Sequence, residues 1–381
     1  MSSNVEILVI GAGASGLMLS SLLKRKSSVM LIDGNPKIGA KIAVSGGGRC
    51  NFCNEKLSVD HYRTDPRFVG EVFRRYGRDW LLDWAKKRGL ALRNEKEGQF
   101  FCTRGAQSLN EIFHREIRGV DLHLQTRVQA VSGRGPFVVE TDRGSYRARK
   151  LVVASGGLSF PRLGANDLGL QIAREYGHSV LRPAPALVGL TLQPPQFFMK
   201  ELSGISLPVE IRVASRRIRG DLLFAHRGIS GPVVLNASLW WDRGEIEIDF
   251  LPDFDEKRLK GSKHLSTLLP LPKRVAKAFL EHLEIEDTPA AKMGPATHKK
   301  LQNIRRYRFA PAGTFGYARA EVTKGGVSTE EVDPHSMESC LVPGLYFLGE
   351  VLDVTGELGG YNFQWAFSSA AVCADALNAE V

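Results

Sequence analysis

Residues 5–20 read VEILVIGAGASGLMLS, and the reading of this stretch decides the fold. "VEILVI" is an unbroken apolar run, as a parallel strand buried on both faces requires. "GAGASG" places Gly11, Gly13 and Gly16 in G-x-G-x-x-G spacing, and "LMLSSLLKRK" continues at helical period. "VMLID" predicts a second strand ending on Asp33. Strand, glycine turn, helix, strand and terminal acid form the context a dinucleotide-binding fingerprint needs. The helix start at Ala14 and Ser15 offers unpaired N–H groups and a positive dipole end to a pyrophosphate. Asp33 is placed to accept from ribose hydroxyls.

The far end of the chain separates FAD from a plain NAD site. "GLYFLGEVLD" (344–353) reads as a strand that delivers Gly349, Glu350 and Asp353 to its carboxyl end. "GELGGYNFQWAFSSA" then opens a helix on Gly359, Gly360, Tyr361 and Asn362. A helix N-terminus aimed at a flavin stabilises the negative charge that reduction leaves on the ring. No second nucleotide fingerprint is visible, so NAD(P)H is expected to dock transiently in the substrate cavity.

"SGGGRCNFCN" (45–54) reads two ways. Cys50 and Cys53 have C-x-x-C spacing, while the glycines and Arg49 suit a loop around an anion or a flat ring. The five scattered cysteines do not make a disulfide framework, and neither a second C-x-x-C nor a close His pair completes a zinc site. No run of apolar residues is long enough to span a membrane. The start, "MSSNVEILVIGAG", has no basic region or cleavage site of a signal peptide, so a cytoplasmic enzyme without a stable protein partner is expected.

At 381 residues the chain predicts more than one domain. Both ends have α/β texture, whereas "ALVGLTLQP", "LPVEIRV", "GDLLFAH" and "GEIEIDF" alternate as strands. The expected division is 1–186 with 336–381 as a Rossmann-like FAD domain, 187–251 with 305–335 as a β-rich, barrel-like domain, and 252–304 as a small helical insertion. The net charge is +10, and cations concentrate at 257–277 and at 292–308, neither of which contains an acid. Lys299, Lys300, Arg305, Arg306 and Arg308, with Tyr307 and Phe309 among them, suit a polyanion whose phosphates meet cations and whose bases stack on rings.

With "GAGASG", "GAKIAVSGGGRCN", "ASGGLSFPRLG", "FAHRGISGP", "EVTKGGV", "MES" and "PGLYFLGEVLDVTGELGGYNFQWAFSSA", the chain resembles the BaiN/RdsA-like family of NAD(P)/FAD-dependent oxidoreductases over nearly its whole length. The resemblance implies an FAD domain of two-dinucleotide-binding type with an inserted β-barrel and a helical domain. It also implies that Lys41, Gly46, Gly47, Gly48, Arg49, Cys50 and Asn51 lie along the FAD, that Val128 meets the adenine, and that Gly156 completes the site. The chain departs from the family pattern at Cys53, where Thr is usual, at Ala165–Leu168, and at Cys340, where Lys is usual.

Of the activities the resemblance implies, the favoured one is hydride transfer from flavin N5 to the C=C of uridine in large-subunit ribosomal RNA, giving dihydrouridine from a flipped-out base. Cys50, His226 and Tyr361 are the candidate proton donors. The alternatives are a small-molecule oxidase or ene-reductase, of amine or steroid-acid type, and a non-catalytic flavin sensor or RNA-binding module.

Overall fold

The computed structural model describes residues 3–380. The chain divides into two compact units, Met1–Pro185 with Glu321–Val381, and Ala186–Ala320. No helix among the described residues is long and apolar enough to cross a membrane.

The first unit is built on a mixed sheet. The elements of this unit used below are, in chain order, β1 (Ser3–Ile10), α1 (Ala14–Leu22), β2 (Val29–Ile32), β3 (Asn51–Asn54), β4 (Gln99–Cys102), α2 (Ala106–Glu116), β5 (Asp121–His123), β6 (Val128–Ser132), β7 (Phe137–Thr141), β8 (Gly144–Val153), β9 (Val322–Val327), β10 (Leu345–Phe347) and α3 (Tyr361–Ala379). The strand order is β5-β2-β1-β8-β7-β6, with β10 also on β8. β5, β2, β1, β8 and β10 run parallel, so the strand ends that carry Gly11, Asp33, Ala154 and Leu348 share one edge. The continuous apolar run of β1 has its reason here: Ile7 to Ile10 are buried, with layers on both faces. The helix α3 closes one face, and Trp365, Phe367 and Ala370 are buried in the core. Truncating a side chain such as Trp365 to alanine costs about 3–5 kcal/mol.

The second unit is a six-stranded antiparallel sheet in the order Leu190–Thr191, Gly228–Ser230, Arg216–Ala225, Ser206–Val213, Ile246–Asp249, Tyr307–Phe309. The helices Pro232–Trp240, Lys273–His282 and Pro295–Arg305 pack on it.

Three expectations are corrected. Residues 321–335 belong to the first unit, because β9 pairs with the strand Val180–Ala186 and Val327 bridges to Leu352. Residues 252–304 are not a separate body, since Val275, Phe279 and Ile304 share one core with Ile211, Phe224 and Ile248. Tyr307 and Phe309 are buried in that core and have no face to offer a base.

Candidate cofactor site and its surroundings

The three fingerprint glycines have different reasons. A Cβ on Gly11 would sit 2.4 Å from Ala154 O, and one on Gly16 would sit 1.9 Å from Gly11 O. Both allow close backbone packing. A Cβ on Gly13 would meet nothing within 4 Å, so the space above the helix start is open. Gly13 caps α1 without a side-chain hydrogen bond, which leaves the first-turn N–H groups of Ala14 and Ser15 for a ligand. Asp33 accepts from Ala12 N–H and Asn35 N–H, both at 2.7 Å, which fixes the carboxylate beside the glycine turn. The segment leading to Val128 is held against this acid: Thr126 N–H donates to Asp33 O and Gln125 N–H to Asn35 O, each at 3.0 Å.

The loop 45–50 folds back on itself. Gly46, Gly47, Gly48 and Cys50 all have positive φ, and Cys50 N–H donates to Ser45 O at 3.0 Å. A left-handed Cys50 costs roughly 1–2 kcal/mol, so the surrounding packing must hold it there. Gly39 N–H donates to Ala12 O at 2.8 Å, which ties this segment to the fingerprint turn. Arg49 stacks over Phe101 at 4.3 Å, pairs with Glu95 at 3.1 Å and donates from Nε to Gly46 O of the loop at 3.3 Å. Asn51 donates to Gln99 at 2.6 Å, while its Oδ1 is buried without a partner.

The C-terminal elements meet this loop. Lys41 Nζ pairs with Glu350 Oε2 at 2.7 Å, and Glu350 Oε1 accepts from Thr323 N–H at 2.9 Å. Asp353 accepts from Gly325 N–H at 3.1 Å. Gly360, at φ +94°, caps α3 so close to Cys53 that a Cβ would lie 2.6 Å from the Cys53 carbonyl carbon. Asn54 donates to Gly359 O at 3.1 Å, and Asn362 staples the turn by bonding both Gly356 N and O at 2.9 Å. A Cβ on Gly156, at φ +74°, would also meet nothing within 4 Å, and the neighbouring Ser155 Oγ is buried without a partner.

These features fit an extended dinucleotide: an open helix start, a ribose-side acid, open space at Gly13 and Gly156, and the orphaned Asn51 Oδ1 and Ser155 Oγ. They suit FAD, for which Gly11–Gly16 could hold the pyrophosphate and residues 46–51 with 359–362 the ring end.

The predicted proton donors fare less well. Cys50 is fully buried against Cys102, whose contact, with burial, holds its thiol well above the usual range. Tyr361 is 5% exposed and donates to Lys56 O at 3.3 Å, and burial pushes its phenol up. Both are committed to internal contacts. His226 lies exposed in the second unit, in the turn between the strands Arg216–Ala225 and Gly228–Ser230. Sequence reasoning missed His61 and Glu357. His61 Nδ1 lies 2.9 Å from Glu357 Oε2, and its ring stacks on Tyr361 with centroids 4.4 Å apart. No local motif announces them, because the partners are 296 positions apart.

Several predicted RNA-binding cations are engaged internally. Arg305 pairs with Glu256 at 3.2 Å and Asp249 at 3.8 Å, Lys300 with Glu284 at 3.8 Å, and Arg308 with Glu245 at 3.9 Å. Lys299 and Arg306 are exposed.

A family model described as "HI0933-like protein Rossmann domain" matches residues 5–376. A ribosomal RNA dihydrouridine synthase of Haemophilus influenzae is 40% identical over 395 residues, covering 98% of both chains. Its Escherichia coli counterpart of the same name is 38% identical, again over 98% of both. A 3-dehydro-bile acid delta(4,6)-reductase of Clostridium scindens is 29% identical, covering 96% of this chain and 97% of its own.

Proposed function

The chain belongs to the HI0933-like Rossmann family, and from that premise we propose that it is a cytoplasmic FAD-dependent oxidoreductase that uses NAD(P)H to reduce uridine in large-subunit ribosomal RNA to dihydrouridine. The observation that carries the reading is 40% identity over 98% of both chains with a ribosomal RNA dihydrouridine synthase.

Bound FAD supplies the hydride chemistry. The chain's own part is to hold the cofactor and deliver a proton. The N-termini of α1 and α3 would hold the cofactor's pyrophosphate and ring, and the Lys41–Glu350 pair would order the segments beside them. Saturating the C5=C6 bond of uracil needs a proton at C5. His61 is the proton donor in this reading, with Glu357 fixing the orientation of its ring.

An RNA substrate needs a cationic platform, and the second unit supports one. Ala186–Ala320 contains 21 Lys and Arg against 14 Asp and Glu. Lys257, Arg258, Lys260, Lys263 and Lys299 are exposed. The nearby acids are occupied, Glu256 by Gln302, Arg305 and His298, and Asp287 by Ser266. Gly261 O and Lys263 O accept from Ala291 and Ala290 N–H, which brings Lys292 beside Lys260 and Lys263. We assign phosphate contact to this cluster ahead of Arg305 and Arg308.

The test is nucleoside mass spectrometry of large-subunit ribosomal RNA from a deletion strain, with and without the restored gene. Loss and recovery of one dihydrouridine is expected, and unchanged dihydrouridine refutes the reading. One observation favours a second reading, reduction of an activated C=C in a small molecule: the 29% identity to a bile-acid reductase over nearly the whole chain.

A further inference from the structure

The C-x-x-C of the cofactor loop names the wrong partner for Cys50. In the β3–β4 ladder Asn51 pairs with Phe101, and one step along that register sets Cys50 opposite Cys102. Cys102 N–H donates to Cys50 O at 3.3 Å across the pair. Directly opposed residues in an antiparallel pair bring their Cβ atoms to about 4.5–5.5 Å, at the edge of the span a disulfide bridges. Cys53 is excluded by the bulge between Asn51 and Cys53, which sets it opposite Phe100, and its backbone packs under Gly360.

The chemistry of the two sulfurs differs. The Cys50 contact and a hydrogen bond from Ser108 hold the Cys102 thiol below its usual range. Cys50 is correspondingly pushed up by the Cys102 contact and by burial, so of the two Cys102 is the more readily ionised. Burial, the largest cause, pushes Cys53 up to about 12, which leaves it inert.

We propose that Cys50 and Cys102 are a redox dithiol at the root of the cofactor loop, closing to a disulfide when hydrogen peroxide oxidises them and reopening with a dithiol reductant. The Cys102 thiolate attacks one peroxide oxygen and the O–O bond breaks. Cys102 becomes a sulfenic acid, and the other oxygen leaves as water after taking up a proton. Cys50 Sγ then attacks Cys102 Sγ. The S–S bond forms, the S–O bond breaks, and the oxygen leaves as a second water with the Cys50 proton. Two thiols lose two electrons and two hydrogens, and one peroxide becomes two waters. Because Cys50 N–H also closes the loop onto Ser45 O, the disulfide ties the glycine loop 45–50 to β4. The inference concerns the loop alone and does not depend on the RNA substrate.

The experiment treats the folded full-length protein with hydrogen peroxide, unfolds it in N-ethylmaleimide and maps the digest by mass spectrometry. A Cys340→Ser background removes the exposed thiol. A peptide pair joined through Cys50 and Cys102, lighter by two hydrogens than the reduced pair and separated by dithiothreitol, is the expected result. Cys53→Ser keeps the link and Cys102→Ser loses it. A link from Cys50 to Cys53, stable oxygen addition at Cys102 without a link, or full alkylation of both thiols after peroxide each overturns the proposal.

Discussion

Nδ1 of His61 lies 2.9 Å from Oε2 of Glu357, and the same two residues are joined again by Glu357 N–H donating to His61 O at 2.9 Å. A side chain held by both backbone and carboxylate, with its ring flat on Tyr361, has one orientation. That is the arrangement a proton donor needs, with the ring held in one orientation by its anchored nitrogen. His61→Asn should lower dihydrouridine formation by about 10²–10⁴-fold while bound flavin stays at the wild-type level. Glu357→Gln should cost less, because it keeps a side-chain acceptor for Nδ1 and leaves the backbone tie between the two residues intact. Flavin absorbance and single-turnover rates across pH test both. Unchanged rates for His61→Asn remove it from the reaction.

Gly13 separates folding from cofactor binding. Its Cβ direction is open, whereas that of Gly16 runs into Gly11 O. Gly13→Glu should therefore fold, fill the pyrophosphate space and set a negative charge where the α1 dipole expects to meet the cofactor's own. The purified wild-type protein should be yellow and Gly13→Glu colourless, with matching circular dichroism. Gly16→Val should instead lose soluble protein. Flavin content measured after denaturation, alongside the melting curve, distinguishes the two outcomes.

The parts of this site legible in the sequence are those that local rules dictate. Gly11–Gly16 and Asp33 were readable because one strand–turn–helix–strand unit places all of them, and Gly359–Asn362 because glycines open a helix there. What pairing across distant segments decides was not readable. Cys102 becomes the neighbour of Cys50 through the β3–β4 register, and Glu357 reaches His61 across most of the chain. Arg49 illustrates a third limit. Its place in the glycine loop points to charge beside the cofactor, and only the fold shows that Phe101 and Glu95, supplied by other segments, also hold its guanidinium. Tyr307 and Phe309 alternate with arginines in sequence, and only the sheet shows that this alternation puts the rings in the core.

Neutralised and free cations should behave differently toward RNA. Charge reversal at Lys257, Lys260 and Lys263 should weaken binding to a ribosomal RNA fragment and flatten the dependence of log K on log salt by about 0.7–1 per lost contact. Charge reversal at Arg305 should act mainly on stability, since it would face Glu256 and Asp249. Flavin content should be unaffected by the three lysine changes. Binding titrations at several salt concentrations provide the check, and an unchanged slope for the lysine variants would show that the cluster is only solvated surface.

Glu210 supplies a stability prediction with a defined sign. It is 3% exposed in the middle of the second unit's sheet and accepts from Arg219 at 2.8 Å, with Arg217 at 3.2 Å and Arg212 at 3.4 Å. Burial by itself would raise its carboxyl, but the Arg219 hydrogen bond and the charges of Arg217, Arg219 and Arg212 outweigh it, and the net direction is below the ordinary glutamate value. A depressed folded value means that the unfolded chain takes up the proton first. The contribution is thus complete above the ordinary glutamate range and is lost as pH falls from there through the lower, folded value. The three arginines remain partly in water, so the loss on Glu210→Gln at pH 7 should be about 1 kcal/mol rather than the several expected for a fully buried pair. Urea unfolding at pH 7 and again below pH 4 tests this: the gap between wild type and Glu210→Gln should narrow as the solution is acidified. A gap that is constant with pH would mean that Glu210 stabilises the sheet through packing and not through its charge.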